Sequence, residues 1–274
     1  MTSSKPIPAP PKGRARHRRR VQRLALLAAA LSPAALWAEP APWARLQWSS
    51  SAGYSHYREP SIGMHLKGPE LGAHLQLSDL RGLGRLRLEV DLLGGAQNYS
   101  SADGPMEHKR TLDSRWHALY QLVPGGAAQG LYAGLALQSS YSDLRGVVRP
   151  GVVGYERLNL SGWLTAQWRQ SVKVEALPRL QGLQLDLGHL LEGRQTSYLS
   201  QVGGNWRDVT NKQPWGWQVQ LQSTWTTERG LLFEPFVRYT QVGHSDTVIS
   251  GSRAVMEPAN SRWQLGLKAT WPPN

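Results

Sequence analysis

The sequence contains no cysteine, only two phenylalanines and no apolar run long enough to cross a membrane as a helix. Without cysteine, neither a disulfide framework nor a thiolate metal site can form. The most apolar stretch, 24–31, is far shorter than the roughly 20 residues that a transmembrane helix needs. Acidic residues are also absent from the first 38 positions. A disulfide-stapled fold and a helical membrane protein are therefore both excluded.

The N-terminal segment predicts export from the cytoplasm. Residues 1–23 carry eight basic side chains, the apolar run 24–31 follows, and Ser32–Ala38 then precedes Glu39. This order is typical of a secretory signal peptide, which we place at 1–38, and the mature domain then covers 39–274. Removal of the signal peptide leaves 23 basic and 19 acidic residues, so the formal charge falls from +12 to +4. The high pI belongs mainly to the leader, and nucleic acid is not an expected partner.

Apolar and polar residues alternate along much of the mature chain. In 262–271, Trp263, Leu265, Leu267, Ala269 and Trp271 alternate with Arg, Gln, Gly, Lys and Thr, and the same period occurs in 86–92 and 215–225. A period of two indicates β-strands with one apolar and one polar face. In a soluble sandwich the apolar face packs on a second sheet, whereas in a membrane barrel it faces lipid. The export signal favours the barrel.

Turn signals divide the mature chain into ten candidate strands. They are 44–58, 62–79, 84–99, 112–122, 130–143, 155–169, 180–193, 213–227, 231–243 and 261–271. This pattern predicts an all-β, antiparallel, up-and-down transmembrane β-barrel of about ten strands, and eight strands remain the alternative because 170–179 is ambiguous. Connectors 100–111, 144–154, 194–212 and 244–260 are long and polar, whereas 81–84, 124–127 and 227–230 are compact. We therefore expect long outer loops and short periplasmic turns in a Gram-negative outer membrane.

Aromatic residues are placed where membrane interfaces would lie. Tryptophan and tyrosine favour these interfaces because each ring has one polar edge. Seven outward positions are expected to form an aromatic girdle at the two ends of the barrel: Tyr54, Trp168, Trp215, Trp217, Trp225, Trp263 and Trp271. Trp271 ends the last strand and is predicted to be read by the barrel-assembly machinery during insertion. The other expected partners are outer-membrane lipid and lipopolysaccharide.

Several short segments resemble a family of proteobacterial outer-membrane β-barrel proteins, porin-like and without a characterised function. The segments are 57–60 (YREP), 192–200 (EGRQTSYLS), 208–211 (DVTN), 234–239 (EPFVRY) and 257–260 (EPAN). The resemblance extends over most of the mature chain. It implies a barrel and an outer-membrane location, but no substrate and no catalytic residue.

The inward faces of the predicted strands carry charges of both signs. The candidate lumen network is Arg87, Glu89, Asp91, Asp186, Glu234, Arg238 and Lys268. A buried charge is costly unless it is paired, and small barrels are filled by their own side chains. We therefore expect a paired network that largely plugs the lumen. The corresponding function is a structural or adhesin-like barrel, or a narrow pore.

An enzyme is the alternative from a different class. Omptin proteases are also ten-stranded barrels, with acidic residues and a histidine at the outer rim, and Glu192, His244 and Asp246 are the rim candidates here. These three must converge within hydrogen-bonding reach for that function. A lipid-facing hydrolase built on Ser139 and His56 lacks an evident acidic partner. No His-x-x-x-His spacing occurs, so neither a metal nor a cofactor is implied.

Overall fold

The computed structural model describes residues 45–78, 85–124 and 129–271. The predicted signal peptide at 1–38 and the tail at 272–274 lie outside these ranges. Within them, no helix is both long enough and apolar enough to cross a membrane.

Ten long strands and three short ones make up the structure. They are β1 (Arg45–Glu59), β2 (Met64–Ser78), β3 (Leu86–Ser101), β4 (Gly104–Pro124), β5 (Gly130–Arg149), β6 (Val152–Ser171), β7 (Leu180–Ser197), β8 (Val209–Gln213), β9 (Gly216–Thr226), β10 (Leu232–Val242), β11 (Thr247–Ser250), β12 (Arg253–Met256) and β13 (Asn260–Thr270). Short 3-10 turns occur at Pro60–Ile62 and Leu199–Val202.

The long strands form a closed antiparallel barrel. Each pairs with the long strand before and after it in the chain, and β1 pairs with β13 to close the cylinder. In this closing pair Ser49 lies opposite Thr270, and their hydroxyl oxygens are 2.6 Å apart. The predicted ten-stranded, up-and-down barrel is confirmed, and the eight-stranded alternative is excluded.

Two of the predicted outer loops are wrong, because they are strand. The expected loop at 100–111 is a continuation of β3 and β4 around a turn at 102–103, and the one at 144–154 is a continuation of β5 and β6 around a turn at 150–151. The strand β4 has 21 residues and β5 and β6 have 20 each, about twice the 9–11 residues that a tilted strand needs to cross a bilayer. Polar residues can continue a ladder where both faces meet water, so loss of apolar alternation does not end these strands.

The remaining two predicted loops also contain strand. The connector at 194–212 includes the end of β7 and most of β8, and 244–260 contains the β11–β12 hairpin. Both β8 and β9 pair with β7: Gly193 is opposite Gln213 and His189 is opposite Trp217, which is the same register. The strand β8 is therefore the outer continuation of β9, interrupted at Pro214–Trp215.

The barrel has an apolar exterior and a polar interior. Leu135 and Leu137 on β5 are 56% and 66% exposed, whereas the inward Arg87 and Arg238 are only 4% exposed. Most buried polar residues are glutamines, serines, threonines and charged side chains. This distribution is the reverse of that in a soluble protein, where apolar side chains are buried and polar ones are exposed. It suits a barrel that faces lipid on the outside and has a lumen filled by polar side chains.

Candidate functional site

The centre of the polar lumen is a single carboxylate, Asp91 on β3. Its Oδ1 lies 2.8 Å from His74 Nδ1 and 3.4 Å from Lys268 Nζ, and its Oδ2 lies 3.8 Å from Arg238 Nη2. These partners come from β2, β13 and β10, where the two-residue period turns each of them inward. One acidic residue is thus surrounded by two permanent cations and an imidazole.

A second layer lies nearer the end of the barrel at which β1 begins and β13 ends. Glu89 Oε1 is 2.9 Å from Arg169 Nη2 and 3.6 Å from Arg87 Nη1. Arg87 also donates to Gln167 at 2.8 Å, and its guanidinium lies 4.0 Å from the ring centroid of Tyr132. Because these contacts join β3 to β5 and β6, they reach across the lumen.

A third layer lies on the outer side of Asp91. Arg262 on β13 donates to Glu70 on β2 and, at 2.7 Å, to Asp113 on β4. Gln97 and Gln264 donate to the two oxygens of Glu70 at 2.8 and 2.9 Å. These five groups point inward from four strands, β2, β3, β4 and β13, so the layer ties one side of the barrel wall together.

Five polar residues form a cluster of hydrogen bonds at the outer end of the lumen. Arg157 donates to Glu59 at 2.6 Å, Tyr57 donates to the same carboxylate at 2.7 Å, and Ser197 donates to Glu257 at 2.5 Å. These bonds join β1, β6, β7 and the segment that leads into β13 at the outer end of the lumen.

Bonds between strands that are not neighbours show how far the lumen is bridged. Arg87 on β3 reaches Gln167 on β6. Arg262 on β13 reaches Asp113 on β4, and Arg157 on β6 reaches Glu59 on β1. Since β6 and β1 are five strands apart in a ten-stranded ring, the last bond joins opposite walls. The lumen is crossed at several heights.

Two cavities remain between these layers. The larger, about 140 Å³, is lined partly by apolar side chains such as Met64 and Trp163, and the smaller, about 60 Å³, is lined by polar ones. Asp91, Arg115 and Arg238 line both cavities and therefore lie between them. At 10–15 Å³ per water, these volumes hold roughly ten and roughly five waters.

Not every predicted lumen residue joins an ion pair. Arg87, Glu89, Asp91, Arg238 and Lys268 do.

Asp186 instead accepts from Gln184 at 2.9 Å, and Glu234 accepts from Thr224 at 3.2 Å. Among the described residues, no cation lies within 4 Å of either carboxylate. Network residues missing from the sequence-based set are Glu70, Asp113, Arg115, Arg169 and Arg262. The same alternation could have found them.

The rim residues proposed for a hydrolase do not converge. Glu192 accepts from Arg194 at 2.5 Å on the outside of β7, and Asp246 accepts from the backbone N–H of Lys212 at 2.6 Å. His244 is exposed. Within the described ranges no hydrogen bond joins any two of Glu192, His244 and Asp246.

The lipid-facing pair is also separate. Ser139 hydrogen-bonds to Ser114 at 2.8 Å, and His56 to His65 at 3.1 Å. No group of three His, Asp or Glu side chains suited to a metal ion occurs in the part of the chain that the structure describes.

The girdle residues lie on the outward surface near the strand ends. Tyr54, Trp215, Trp217 and Trp263 are at the outer end, Trp168 and Trp271 are at the opposite end, and all six are 41–48% exposed.

Trp225 is half-buried. Trp271 stacks on Trp48 with ring centroids 5.2 Å apart, and Tyr239 packs between Trp217 and Trp263 at 5.1 and 4.6 Å. Trp217, Tyr239 and Trp263 thus form a continuous aromatic row across β9, β10 and β13.

A closed, even-numbered antiparallel barrel with an apolar exterior, aromatic ends and a polar lumen is the architecture of outer-membrane β-barrel proteins. The chain has this fold. It is similar to neisserial surface protein A, with 11% identity over 83% of this chain and 99% of that one and a TM-score of 0.31. It is also similar to the transport unit of the autotransporter AIDA-I from Escherichia coli, with 10% identity over 86% and 92% of the two chains and a TM-score of 0.31. No protein-family model matches the sequence, and no curated protein does.

Proposed function

We propose that this chain is exported by its N-terminal signal peptide into a Gram-negative outer membrane, where it is a barrel with a charge-closed lumen. The observation that carries the proposal is the set of bonds between non-neighbouring strands, above all Arg157 to Glu59. A solute larger than water or a small ion would have to break these bonds to pass. The barrel is therefore a structural scaffold with, at most, a narrow ion path.

The closure is electrostatic as well as steric. A permeating ion has to pass the layer of Asp91, Arg115 and Arg238 between the two cavities. Any ion there meets a fixed charge of its own sign while it loses its hydration shell, which is costly in a low-dielectric interior.

Conductance in planar lipid bilayers tests the closed lumen. The wild-type barrel should give no current steps of the size of a general porin. Replacing Arg87 and Arg169 with serine removes the bridge between β3 and β6, so the conductance should rise. The matched control replaces Arg145 and Arg194, which lie outside the lumen, with serine and should leave the current unchanged. Porin-like current from the wild-type barrel would contradict the proposal.

A second function, adhesion, has its own support in the outer strand extensions. The strands β5 and β6 extend well past the lipid-facing region, and β11 and β12 form a further hairpin. Val147 and Ile249 in these hairpins are 70% and 66% exposed. Apolar side chains held out on rigid hairpins suit contact with a partner outside the cell.

Cell-binding by bacteria that display the barrel tests the adhesin function. Val147→Ser combined with Ile249→Ser should reduce binding while the amount of folded barrel stays constant. Arg179→Ser, an exposed change at the opposite end of the barrel, is the control and should have no effect. Unchanged binding by the hairpin variant would exclude adhesion through these tips.

A further inference from the structure

Four basic side chains form a patch on the outside of the β1–β2 hairpin, which we term the basic quartet: His56, Arg58, His65 and Lys67. Arg58 and Lys67 are exposed and the two histidines are half-buried. His56 Nε2 lies 3.1 Å from His65 Nδ1, and the two rings stack with centroids 5.3 Å apart. The patch is thus compact.

The pairing register places a permanent cation opposite each histidine. His56 is opposite Lys67, and Arg58 is opposite His65. Protonation of either imidazole places like charges opposite each other, which destabilises a strand pair. None of the quartet has a carboxylate within 4 Å among the described residues, and Arg58 donates only to the Ser261 hydroxyl, at 2.9 Å.

Three other arginines of the outer region are neutralised. Arg145, Arg149 and Arg194 each have a carboxylate within 4 Å: Asp143 at 2.6 Å, Asp103 at 2.7 Å and Glu192 at 2.5 Å. The quartet, by contrast, places four basic side chains side by side with no carboxylate within 4 Å among the described residues.

The depth of the quartet in the barrel wall indicates which kind of anion it can meet. On β1 the outward residues are mainly apolar from Leu46 to Tyr54, and the next two outward residues are His56 and Arg58. His56 also lies opposite Trp263, at one end of the outer aromatic row. Aromatic rings of this kind sit at headgroup level, so the quartet lies where lipid phosphates are found.

We propose that the basic quartet binds the phosphate groups of an anionic lipid headgroup in the outer leaflet. This inference rests on the proposed outer-membrane location. The Arg58 guanidinium offers a fork that fits a phosphate, and Lys67 adds a mobile ammonium. Protonated His56 and His65 supply further donors to the same anion. A bound phosphate also offsets the repulsion across the β1–β2 pair.

The test measures affinity of the purified, folded barrel for lipid in nanodiscs. Diphosphoryl lipid A in a phosphatidylcholine background should bind, and dephosphorylated lipid A should bind at least about tenfold more weakly. Two double variants should each lower the affinity for diphosphoryl lipid A by about tenfold. They are His56→Gln with Lys67→Gln, and Arg58→Gln with His65→Gln. Arg149→Gln with Arg194→Gln removes charges that are already paired and should leave the affinity unchanged.

Three results would overturn the proposal. The first is equal affinity for diphosphoryl and dephosphorylated lipid A. This comparison needs only the wild-type barrel, so it remains decisive even if a variant fails to fold. The second is an equal loss of affinity in the control variant, Arg149→Gln with Arg194→Gln. The third is tight binding of inorganic phosphate without lipid, which would make the patch a site for soluble anions. Heat-modifiable gel mobility of the same nanodisc sample separates these failures from a failure of membrane insertion itself.

Discussion

Replacing Asp91 with asparagine should be among the most destabilising isosteric changes in this barrel. The substitution keeps the size of the side chain but removes the only negative charge within 4 Å of Lys268 and of Arg238 among the described residues. Both cations are almost fully buried, at 6% and 4% exposure. They would remain inside the lumen without an ionic partner.

The size of the effect follows from the two distances. With an effective dielectric constant of 20, a unit charge pair at 3.4 Å is worth about 5 kcal/mol, and one at 3.8 Å about 4 kcal/mol. Loss of the carboxylate also removes its own desolvation penalty, which is several kcal/mol. The net loss in unfolding free energy is then about 3–5 kcal/mol, as is usual for breaking a buried ion pair.

Denaturant unfolding of the reconstituted barrel, followed by tryptophan fluorescence, measures this loss. Asp186→Asn is the matched control, because Asp186 is also an inward carboxylate that accepts from Gln184 but has no cation within 4 Å among the described residues. It should cost about 1 kcal/mol or less. A loss below about 1 kcal/mol for Asp91→Asn, or equal losses for the two variants, would refute the assigned ion-pair network.

Two further changes test other parts of the structure. Gly134→Ala should cost about 1–3 kcal/mol in unfolding free energy, because its Cβ would lie 1.9 Å from a carbonyl oxygen of β4. Gly162→Ala, whose Cβ would have no atom closer than 4.0 Å, should be nearly neutral in the same denaturation experiment; equal losses for the two variants would contradict this. Trp271→Ala should slow membrane insertion in an assembly assay, and deletion of 272–274 should not; the reverse result would contradict a terminal aromatic signal.

The strands were predictable because their alternation is a local property of the sequence. The predicted strand at 261–271 and the observed β13, Asn260–Thr270, differ by one residue at each end. The extensions of β4 and β5 were not predictable in this way, because above the lipid both faces of a hairpin meet water. There the pairing partner, and not the apolar period, keeps the chain extended.

The lumen was predictable only as a set of inward charges. Alternation identifies Asp91 and Glu234 equally well as inward carboxylates, yet only Asp91 has cations within 4 Å. The difference depends on strand stagger, which sets which strands face each other across the lumen at a given height. Arg157 and Glu59 are 98 residues apart in the chain and meet for this reason alone.

The seam between β1 and β13 has a consequence for the order of assembly. Nine of the ten barrel pairings join long strands that follow one another in the chain, so their contacts are close in sequence and can form early. The tenth brings Ser49 to Thr270, 221 residues away, and closes the largest loop of all. Until it forms, β1 and β13 both expose unpaired edges. Exposure to edge-to-edge aggregation therefore lasts until this final pairing closes the sheet.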